Sequence, residues 1–542
     1  MKRWQGYWFA EGGRWAAAAL RVAIAVAVGL SLYRLARLTT VHIPGPASLY
    51  RPVGIWMLLG HWVPPTPVFT ALWALAFAAT ATMLVGLWSR ASAAVSFGAA
   101  IALVSASFSS SATWSHQYNV VFLAQLAFLG ARGGDALSVD AWLRRRRGLP
   151  ALDVPRGYQW SVRLVQLAVA LMFAGAAFHK ILHAQFTLHW ALSDNLRHQL
   201  LVRYDLAGLP RPTVADWIID DVWRYRIAAV LNLLSQSTPI LACIFVRRPV
   251  IRALAGGFFV IEVLALGLVV DLWNPHWLPL VAAFIDWDWL LGKLGRDVTL
   301  PPARPAQVWS PPRAQRWFVI GFVFYDAITA IIPTVDQTLN TYPFSAFPMF
   351  ATVRAREPYD EHQAYSVAGD QFEVIADRPL DDHAQSWVDH MNRRLHTLRD
   401  PAMVEKRMRA ILADIQQRFP EFGVHGLRHY LTLFEAPAYP APAHFEAHPI
   451  AMMGELDAAG AFHSVLGSMT ETTVTLKPQR VDTAEATLVV YADDKPVPRG
   501  LAATRTGDVF TTGPLAGDLL YVVATIGGKP WLAAARRNWR WE

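Results

Sequence analysis

The residues best suited to chemistry stand at the end of one apolar stretch, residues 160–183. Residues 164–178 carry no charge, and His179, Lys180 and His183 then follow within five positions. A lysine enclosed at such a place is poorly hydrated as an ammonium ion and becomes available as a neutral base. A lysine in the last turn of a membrane helix can instead reach the lipid headgroups. Residue type and position alone favour neither interpretation.

Two further features bear on whether Lys180 is enclosed. The small residues 174–177 allow a neighbouring helix to approach closely. Glu262 lies midway along another apolar stretch, where a carboxylate needs a partner or a cavity. It could pair with Lys180, sense a proton, or be protonated and hydrogen-bonded. We treat Glu262 as a candidate supporting residue of the Lys180 site.

His116, in the segment TWSHQYNVVF, is the second candidate for chemistry. The topology predicted below puts it at the same end of the bundle as Lys180, and the alternative is an interfacial histidine bonded to a backbone carbonyl. His179 and His183 have the spacing of metal ligands on one helix face, but no acidic residue stands between them. We therefore predict no metal site, and regard both as interfacial residues or, with Tyr118, as support for Lys180.

The composition is typical of a membrane protein. Of the 542 residues, 54% are hydrophobic and 17% are charged, and there are 23 tryptophans, a residue that membrane interfaces favour. The net charge of +8 could indicate a nucleic-acid partner. However, the basic residues cluster in short loops between apolar stretches, and we find no recognition motif, so nucleic-acid binding is not expected. The single cysteine, Cys243, excludes disulfides within the chain and paired-cysteine metal sites.

Nine apolar stretches approach the length of about 20 residues that spans a membrane. They lie near 15–37, 67–88, 90–112, 117–133, 160–182, 225–246, 251–271, 274–293 and 316–337. The fourth and the eighth are the least regular. No cleavable signal peptide is evident, so the first stretch is expected to remain as a helix.

Loop charge predicts the orientation of these spans. Basic groups precede the first span and follow the second, fourth, sixth and eighth, and Arg144 to Arg147 form the densest of them. With nine spans and a cytoplasmic N-terminus, all five groups fall on the cytoplasmic side, as the positive-inside rule requires. We expect a multi-pass protein of the plasma (inner) membrane, with long outer loops at 38–66 and 184–224.

The composition changes near residue 340, where apolar stretches shorten and charge rises. Amphipathic periodicity predicts helices at 383–398 and 403–419, and strand patterns follow at 430–434, 450–456, 472–476, 487–491 and 519–526. The predicted fold is an all-α polytopic membrane helix bundle of about nine spans, residues 1–338, followed by an extracytoplasmic α+β domain, residues 339–542. That domain is predicted to be helical over 380–420 and β-rich over 425–542.

Several segments resemble one protein family. They are ALRVAIAVAVGLSLYRL in the first span, TWSHQYNVVF and GGDALSVDAWL around the fourth, and WSVRLVQLAVALMFAGAAFHKIL in the fifth. These look like the horizontally transferred transmembrane (HTTM) domain family, which includes the vitamin K-dependent gamma-carboxylase and bacterial inner-membrane relatives. The resemblance covers roughly residues 15–290. Past the last span, YPFSAFPMF resembles a segment of the bacterial relatives.

The resemblance implies roles for two residues. Lys180 matches the lysine that deprotonates the quinol in the carboxylase, and His116 matches a functional histidine of that family. The implied cofactor is reduced vitamin K or menaquinol, with O2 and CO2, and the implied chemistry is quinol epoxidation that generates a strong base in a site from which water is excluded. Two positions differ: the carboxylase has adjacent lysines where this chain has His179-Lys180, and a histidine in the region of Glu262.

These observations lead to competing hypotheses. The first is a carboxylase-like, quinol-dependent enzyme of the lyase or oxygenase type, with Lys180 as general base and His116 stabilising an oxyanion, acting on a lipophilic, peptide or protein substrate. The second is a non-enzymatic membrane protein that binds lipid or a partner through its outer domain. A third, a channel or transporter, would require a polar path from Glu262 to both faces. An enclosed Lys180 that shares a cavity with His116 would favour the enzyme.

Overall fold

In the computed structural model the chain divides into two compact units. The first comprises residues 1–39, 51–196 and 211–352, and the second comprises 40–50, 197–210 and 353–542. The boundary near 352 lies somewhat beyond the predicted one at 338, and the second unit also includes part of the predicted outer loop 184–224. The structure describes residues 2–42, 50–109, 114–152, 154–205, 210–294, 310–335, 340–342, 344–345, 356–365, 372–374, 400–418, 420, 423–435, 439–441, 446–492, 497–517 and 519–537.

The first unit is built of helices. Its helices are α1 Lys2–Trp8, α2 Arg14–His42, α3 Thr66–Val85, α4 Ser89–Ser109, α5 Asn119–Ala127, α6 Val139–Arg146, α7 Gln159–His183, α8 His189–Leu192, α9 Asn195–Asp205, α10 Thr213–Ile219, α11 Val222–Ser237, α12 Ile240–Ile244, α13 Pro249–Val270, α14 Trp287–Lys293 and α15 Arg313–Val335, of which α2 and α9 are divided between the units. Within the described residues, seven segments are long and apolar enough to cross a membrane, α11 and α12 counting as one. They coincide with seven of the nine predicted spans, and the chain is therefore organised as a multi-pass membrane protein.

The fourth predicted span, 117–133, is wrong as a regular membrane-spanning helix. It forms α5 of only nine residues, which ends in a turn at Gly130 with φ +76°. The segment nevertheless returns along α4. Near the end of α4, Phe108 contacts Tyr118. Further back along α4, Ser96 Oγ accepts from Gln125 Nε2 at 2.9 Å. At the start of α4, the Ser89 N–H donates to Asp140, which follows this segment in the chain. A non-helical backbone at this depth is tolerated because it is buried in protein rather than exposed to lipid.

The eighth predicted span, 274–293, is also broken. Pro275 and Pro279 interrupt it, and it consists of a 3₁₀ helix, Leu278–Ala283, followed by α14. It runs back along α13: Phe284 packs so closely on Gly256 that no side chain fits there, and Arg252 pairs with Asp286 at 2.5 Å. This segment therefore also runs beside a membrane-length helix, although it is not itself a continuous helix.

The predicted cytoplasmic loops meet at one end of the first unit. The Gly13 N–H donates to Asp288 Oδ2 at 2.8 Å, and Tyr7 Oη donates to the carbonyl of Cys243 at 2.7 Å. Arg14 donates to the carbonyl of Leu152 at 3.4 Å. These contacts bring the N-terminus to the loop after the fourth stretch and to the last parts of the sixth and eighth stretches, which are segments that the loop charges predict to lie on one side. That this end faces the cytoplasm stays a prediction.

A short hairpin follows α15 in the first unit, and the second unit contains two sheets and a helix. The strands are β1 Asn340–Thr341, β2 Phe344–Ser345, β3 Arg356–Tyr365, β4 Phe372–Val374, β5 Gly426–Glu435, β6 Glu446–Leu456, β7 Phe462–His463, β8 Ser468–Met469, β9 Thr473–Thr475, β10 Thr487–Ala492, β11 Arg499–Gly500, β12 Ala503–Thr506, β13 Val509–Thr512, β14 Leu519–Ile526 and β15 Lys529–Arg537. One sheet has the order β11-β10-β14-β15-β6-β5-β3-β4, with β7 beside β6, and the other has the order β12-β13-β9-β8. The helix α16, Pro401–Arg418, follows β4 in the chain.

Alternation along the strands explains how this unit is layered. Tyr521 and Val523 of β14 belong to the core that contains α16, whereas Leu520 and Val522 belong to the core that contains β9 and β13. Successive side chains of a strand point to opposite faces, so the large sheet has the helix on one face and the small sheet on the other. The predicted helix at 403–419 and all five predicted strands are confirmed, while 383–398 lies outside the described residues.

Candidate functional site

Lys180 is enclosed within the first unit. Its side chain is 1% exposed, and Nζ donates to Asn232 Oδ1 at 2.6 Å and to Gln236 Oε1 at 2.8 Å, both on α11. Ala176 and Ala177 lie one turn before it on the same helix face and are buried, so the two helices can approach closely. The amine does not reach toward headgroups. Of the two interpretations that the sequence left open, the enclosed lysine is the one the structure adopts.

The two amides connect Lys180 to Glu262 of α13. Asn232 Nδ2 and Gln236 Nε2 each donate to Glu262 Oε1 at 2.8 Å, and Ser235 Oγ donates to Oε2. Glu262 is as deeply buried as Lys180, at 1% exposed. Its expected partner is therefore Lys180, reached through two amides in parallel.

The direction of these hydrogen bonds follows from the two ends of an amide. A side-chain amide has an acceptor oxygen and a donor NH2 group, so it can join an amine on one side to a carboxylate on the other. Both amides are oriented in this way. The arrangement suits a donor at Lys180, either an ammonium ion or a neutral amine, and an anion at Glu262, and every polar group named here has a hydrogen-bond partner, as a buried network requires.

Trp190 of α8 closes another side of the amine. Nζ lies 4.6 Å from the centre of its ring, within the range of a cation–π contact, and Trp190 is buried. The site is also deeper than the position of Lys180 in α7 suggests. Glu262 is eight residues before Val270, the last residue of α13, which corresponds to about 12 Å along a helix.

His179 belongs to a different face of α7. It is buried and lines a small internal cavity of about 30 Å³ together with Asp326 and Thr329 of α15 and Asn119 of α5. A cavity of this size holds at most a water molecule or two. Lys180 does not line it, and a supporting role of His179 for the amine stays a prediction. The side chain of His183 lies outside the described residues.

His116 lies in a 3₁₀ turn, His116–Tyr118, that is held by the eighth stretch. His276 Nε2 and Trp277 Nε1 both bond to the Gln117 carbonyl, at 3.0 and 2.6 Å, and the Tyr118 ring stacks on His276. Trp277 in turn meets Phe173 edge-on at 5.8 Å.

Phe173 lies two helical turns before Lys180 on α7. The contacts of the His116–Tyr118 turn, through Trp277, therefore end on the helix that carries Lys180. They do not place His116 at the amine. The 30 Å³ cavity is lined by neither His116 nor Lys180, so a cavity shared by these two residues stays a prediction.

The sequence analysis missed the α11 residues that bind Lys180 and Glu262. Asn232, Ser235 and Gln236 have the spacing i, i+3, i+4, which puts uncharged polar groups on one face of an otherwise apolar helix. That spacing was the available signal, since polar residues inside a membrane span need partners on a neighbouring helix. Trp190 carried no comparable signal, because its contact depends on the loop after α7.

Two buried arginines have structural contacts. Arg21 donates to the carbonyl of Leu137 at 2.5 Å, and Arg163 stacks on the ring of Tyr7 at 4.9 Å. Over the described residues, no three His, Cys, Asp or Glu side chains are close enough to hold a metal ion.

Comparisons of the chain with protein-family models, with curated proteins and with solved structures found no match. The resemblance to the HTTM family therefore stays an expectation, and a function can be argued only from the geometry of the site.

Proposed function

We propose that this chain is a membrane-embedded enzyme in which Lys180 is the general base for a lipophilic acid, with a quinol of the vitamin K or menaquinone class as the expected co-substrate. The observation that carries the proposal is the enclosure of the Lys180 amine in a network that ends on the Glu262 carboxylate. Such a buried ionisable group within a membrane protein is more often functional than structural.

The two amide oxygens would orient the amine for proton abstraction. A neutral amine has two N–H groups and one lone pair. When Asn232 and Gln236 accept the two N–H groups, the lone pair takes a remaining tetrahedral direction, away from both amides. A base held in this way loses little rotational freedom when it accepts a proton.

Glu262 would balance the charge that the proton brings. After Lys180 accepts a proton, the ammonium ion lies one amide away from a carboxylate that receives three hydrogen bonds. Because the surroundings are apolar, an isolated ammonium ion there would be unstable, and a fixed counter-charge makes the transfer feasible.

The residues around the amine fit a flat, lipophilic acid in their chemistry. The Trp190 face stands beside Nζ, and Phe173, two turns before Lys180 on α7, meets the rings of Phe259 and Trp277 edge-on. A bound quinol would supply an acidic hydroxyl group and the electrons for dioxygen. Trp190 is the residue that would stack on its ring, and His116 is retained as the proposed partner of the oxyanion on the family resemblance alone.

The proposal is tested by epoxide formation. The full chain, purified and reconstituted in lipid, is incubated with reduced vitamin K or with menaquinol under oxygen, and the epoxide is quantified. We expect Lys180→Ala to lower the rate at least ~100-fold, the usual contribution of a general base. Lys293→Ala, which removes an exposed lysine at the end of α14, should retain the wild-type rate.

Equal product from wild type and Lys180→Ala would remove Lys180 from the mechanism. No epoxide from the wild type with either quinol would reject the quinol-dependent enzyme and leave the second hypothesis, a membrane protein that binds lipid or a partner without catalysis.

A further inference from the structure

A second polar site lies at the opposite end of the first unit, among the predicted cytoplasmic loops. It is a cavity of about 710 Å³ between the start of α2, the α3–α4 turn, the loop after α5 and the end of α6. Six arginines line it: Arg14, Arg90, Arg132, Arg144, Arg145 and Arg147. The volume is within the range of small-molecule sites.

The two carboxylates of this cavity are already engaged. Asp140 accepts hydrogen bonds from the Trp88 and Ser89 N–H groups, at 2.9 and 2.8 Å, and Asp135 pairs with Arg132 at 2.7 Å. They therefore hold the α3–α4 turn and the loop in place and leave most of the arginine charge uncompensated.

Three of the arginines are available to a ligand. The side chains of Arg90, Arg145 and Arg147 form no ion pair or hydrogen bond within the part of the chain that the structure describes. A cluster of guanidinium groups around a cavity favours a phosphate, because each guanidinium can donate two parallel hydrogen bonds to it.

The cavity lies at the level where lipid headgroups would be. It is bounded by the C-terminal end of α3 and the N-terminal ends of α2 and α4, which are the ends of three membrane-length helices. Its lining also includes apolar groups: Trp15, Leu149 and Trp88, of which Trp88 is 74% exposed. A wall that is part basic and part aromatic and aliphatic matches a phosphate attached to acyl chains better than a soluble anion.

We propose that this cavity binds the phosphate headgroup of an anionic phospholipid, with Arg90, Arg145 and Arg147 as the phosphate ligands and Trp88 and Leu149 against the glycerol and acyl region. The inference is independent of the enzyme proposed above, since it rests on a different end of the unit.

The chain offers a matched control. Arg146 stands between two of the proposed ligands, but it stacks on Trp142 at 4.4 Å and does not line the cavity. Arg145→Gln with Arg147→Gln removes two ligands, and Arg146→Gln with Arg156→Gln removes the same charge from outside the cavity.

The experiment titrates delipidated full-length protein in neutral detergent with phosphatidylglycerol or phosphatidylcholine, and counts bound lipids by native mass spectrometry. We expect wild type to retain one phosphatidylglycerol with at least ~10-fold preference over phosphatidylcholine, the Arg145/Arg147 variant to lose that preference, and the Arg146/Arg156 variant to keep it. Equal losses in both variants would show attraction by net charge alone and would overturn the site.

A third arm separates the lipid from a free phosphate. Glycerol 3-phosphate and inorganic phosphate at millimolar concentration should fail to displace the bound phosphatidylglycerol, because neither contacts the apolar wall. Complete displacement by either would overturn the lipid assignment in favour of a soluble phosphate compound.

Discussion

Two acid–base pairs, one in each unit, differ in their surroundings. Lys180 and Glu262 are both buried and are joined through two amides. Asp457, which follows β6, and His463, the last residue of β7, bond directly at 2.8 Å with both side chains partly in water. The first pair would be strongly destabilised by the loss of one member, whereas water would readily solvate a lone member of the second.

The two amides show how an ionisable group can be kept for chemistry inside a membrane protein. A direct ion pair would bring the Glu262 oxygens against the Lys180 amine and compete with any substrate. The amides carry the electrostatic coupling while they leave one direction of Nζ free of the carboxylate. The Asp457–His463 pair has no such constraint, and its hydrogen bond stabilises a turn.

Removing one charge of the buried pair gives the largest expected effect. Lys180→Met and Glu262→Gln each leave the other ionisable group buried and uncompensated, and each should lower the free energy of unfolding by about 3–5 kcal/mol. The double variant leaves no buried charge, so it should lose less than the sum of the two. Equilibrium unfolding in detergent measures all three.

Lys293→Met is the control for the buried pair, because it removes an exposed lysine from the same unit and should be nearly neutral. If the cost of the double variant equals the sum of the single variants, Lys180 and Glu262 are not coupled, and the role of the amides as a connection between them is rejected.

The Trp190 face should contribute a smaller amount. Trp190→Phe keeps a ring beside Nζ but weakens the cation–π contact, since indole binds cations best. Because Phe is smaller than Trp, the substitution also leaves a gap. Trp190→Phe leaves the same gap when it is made in the Lys180→Met variant. The difference between the cost of Trp190→Phe in wild type and in Lys180→Met therefore isolates the contact, with an expected value of about 0.5–2 kcal/mol. A difference of zero would mean that Trp190 only fills space.

How much of the fold could be predicted from the sequence depends on whether an apolar stretch is free of helix breakers. Seven spans were predictable because about 20 apolar residues between charged loops admit little else. The two that failed contain helix breakers, Gly130 in one and Pro275 and Pro279 in the other, and are sheltered by α4 and α13. Whether a broken segment still crosses is decided by those neighbours, which the sequence does not specify.

In the second unit most of the predicted strands are rich in β-branched and aromatic residues. Two long strands that were missed are not: β3 reads REPYDEHQAY, and β15 reads KPWLAAARR. Both pair along their length with neighbours that are themselves strands, so tertiary pairing overrides a weak local preference.

The candidate site was predictable in its charged members only. Lys180 and Glu262 were conspicuous because a charge in an apolar stretch is costly. Asn232 and Gln236 were not, since an amide can be satisfied by many partners, and only the packing of α7, α11 and α13 shows that both meet the same lysine and the same glutamate.

The exposed pair gives the smallest effect and a pH dependence of defined sign. The hydrogen bond from His463, aided by the Ala461 N–H, holds the pKa of Asp457 below its ordinary value. Because the folded state favours the ionised carboxylate, its stabilisation is complete above the unfolded pKa of about 3.9 and is lost as the pH falls through the lower folded value. For an exposed pair the amount should be below about 1 kcal/mol.

Hydrogen exchange of the 455–463 turn in the full chain would measure this small term. Asp457→Asn should speed exchange at pH 6. The difference from wild type should shrink toward zero as the pH falls through the lowered folded pKa of Asp457, because a protonated Asp and an Asn at position 457 are both uncharged. Asp482→Asn, which removes another exposed turn carboxylate, one that accepts from the Ala484 N–H, should leave exchange in the 455–463 turn unchanged. A difference that grows at low pH would reverse the sign and would mean that Asp457 is protonated in the folded state, in which case the contrast with the buried pair would fail.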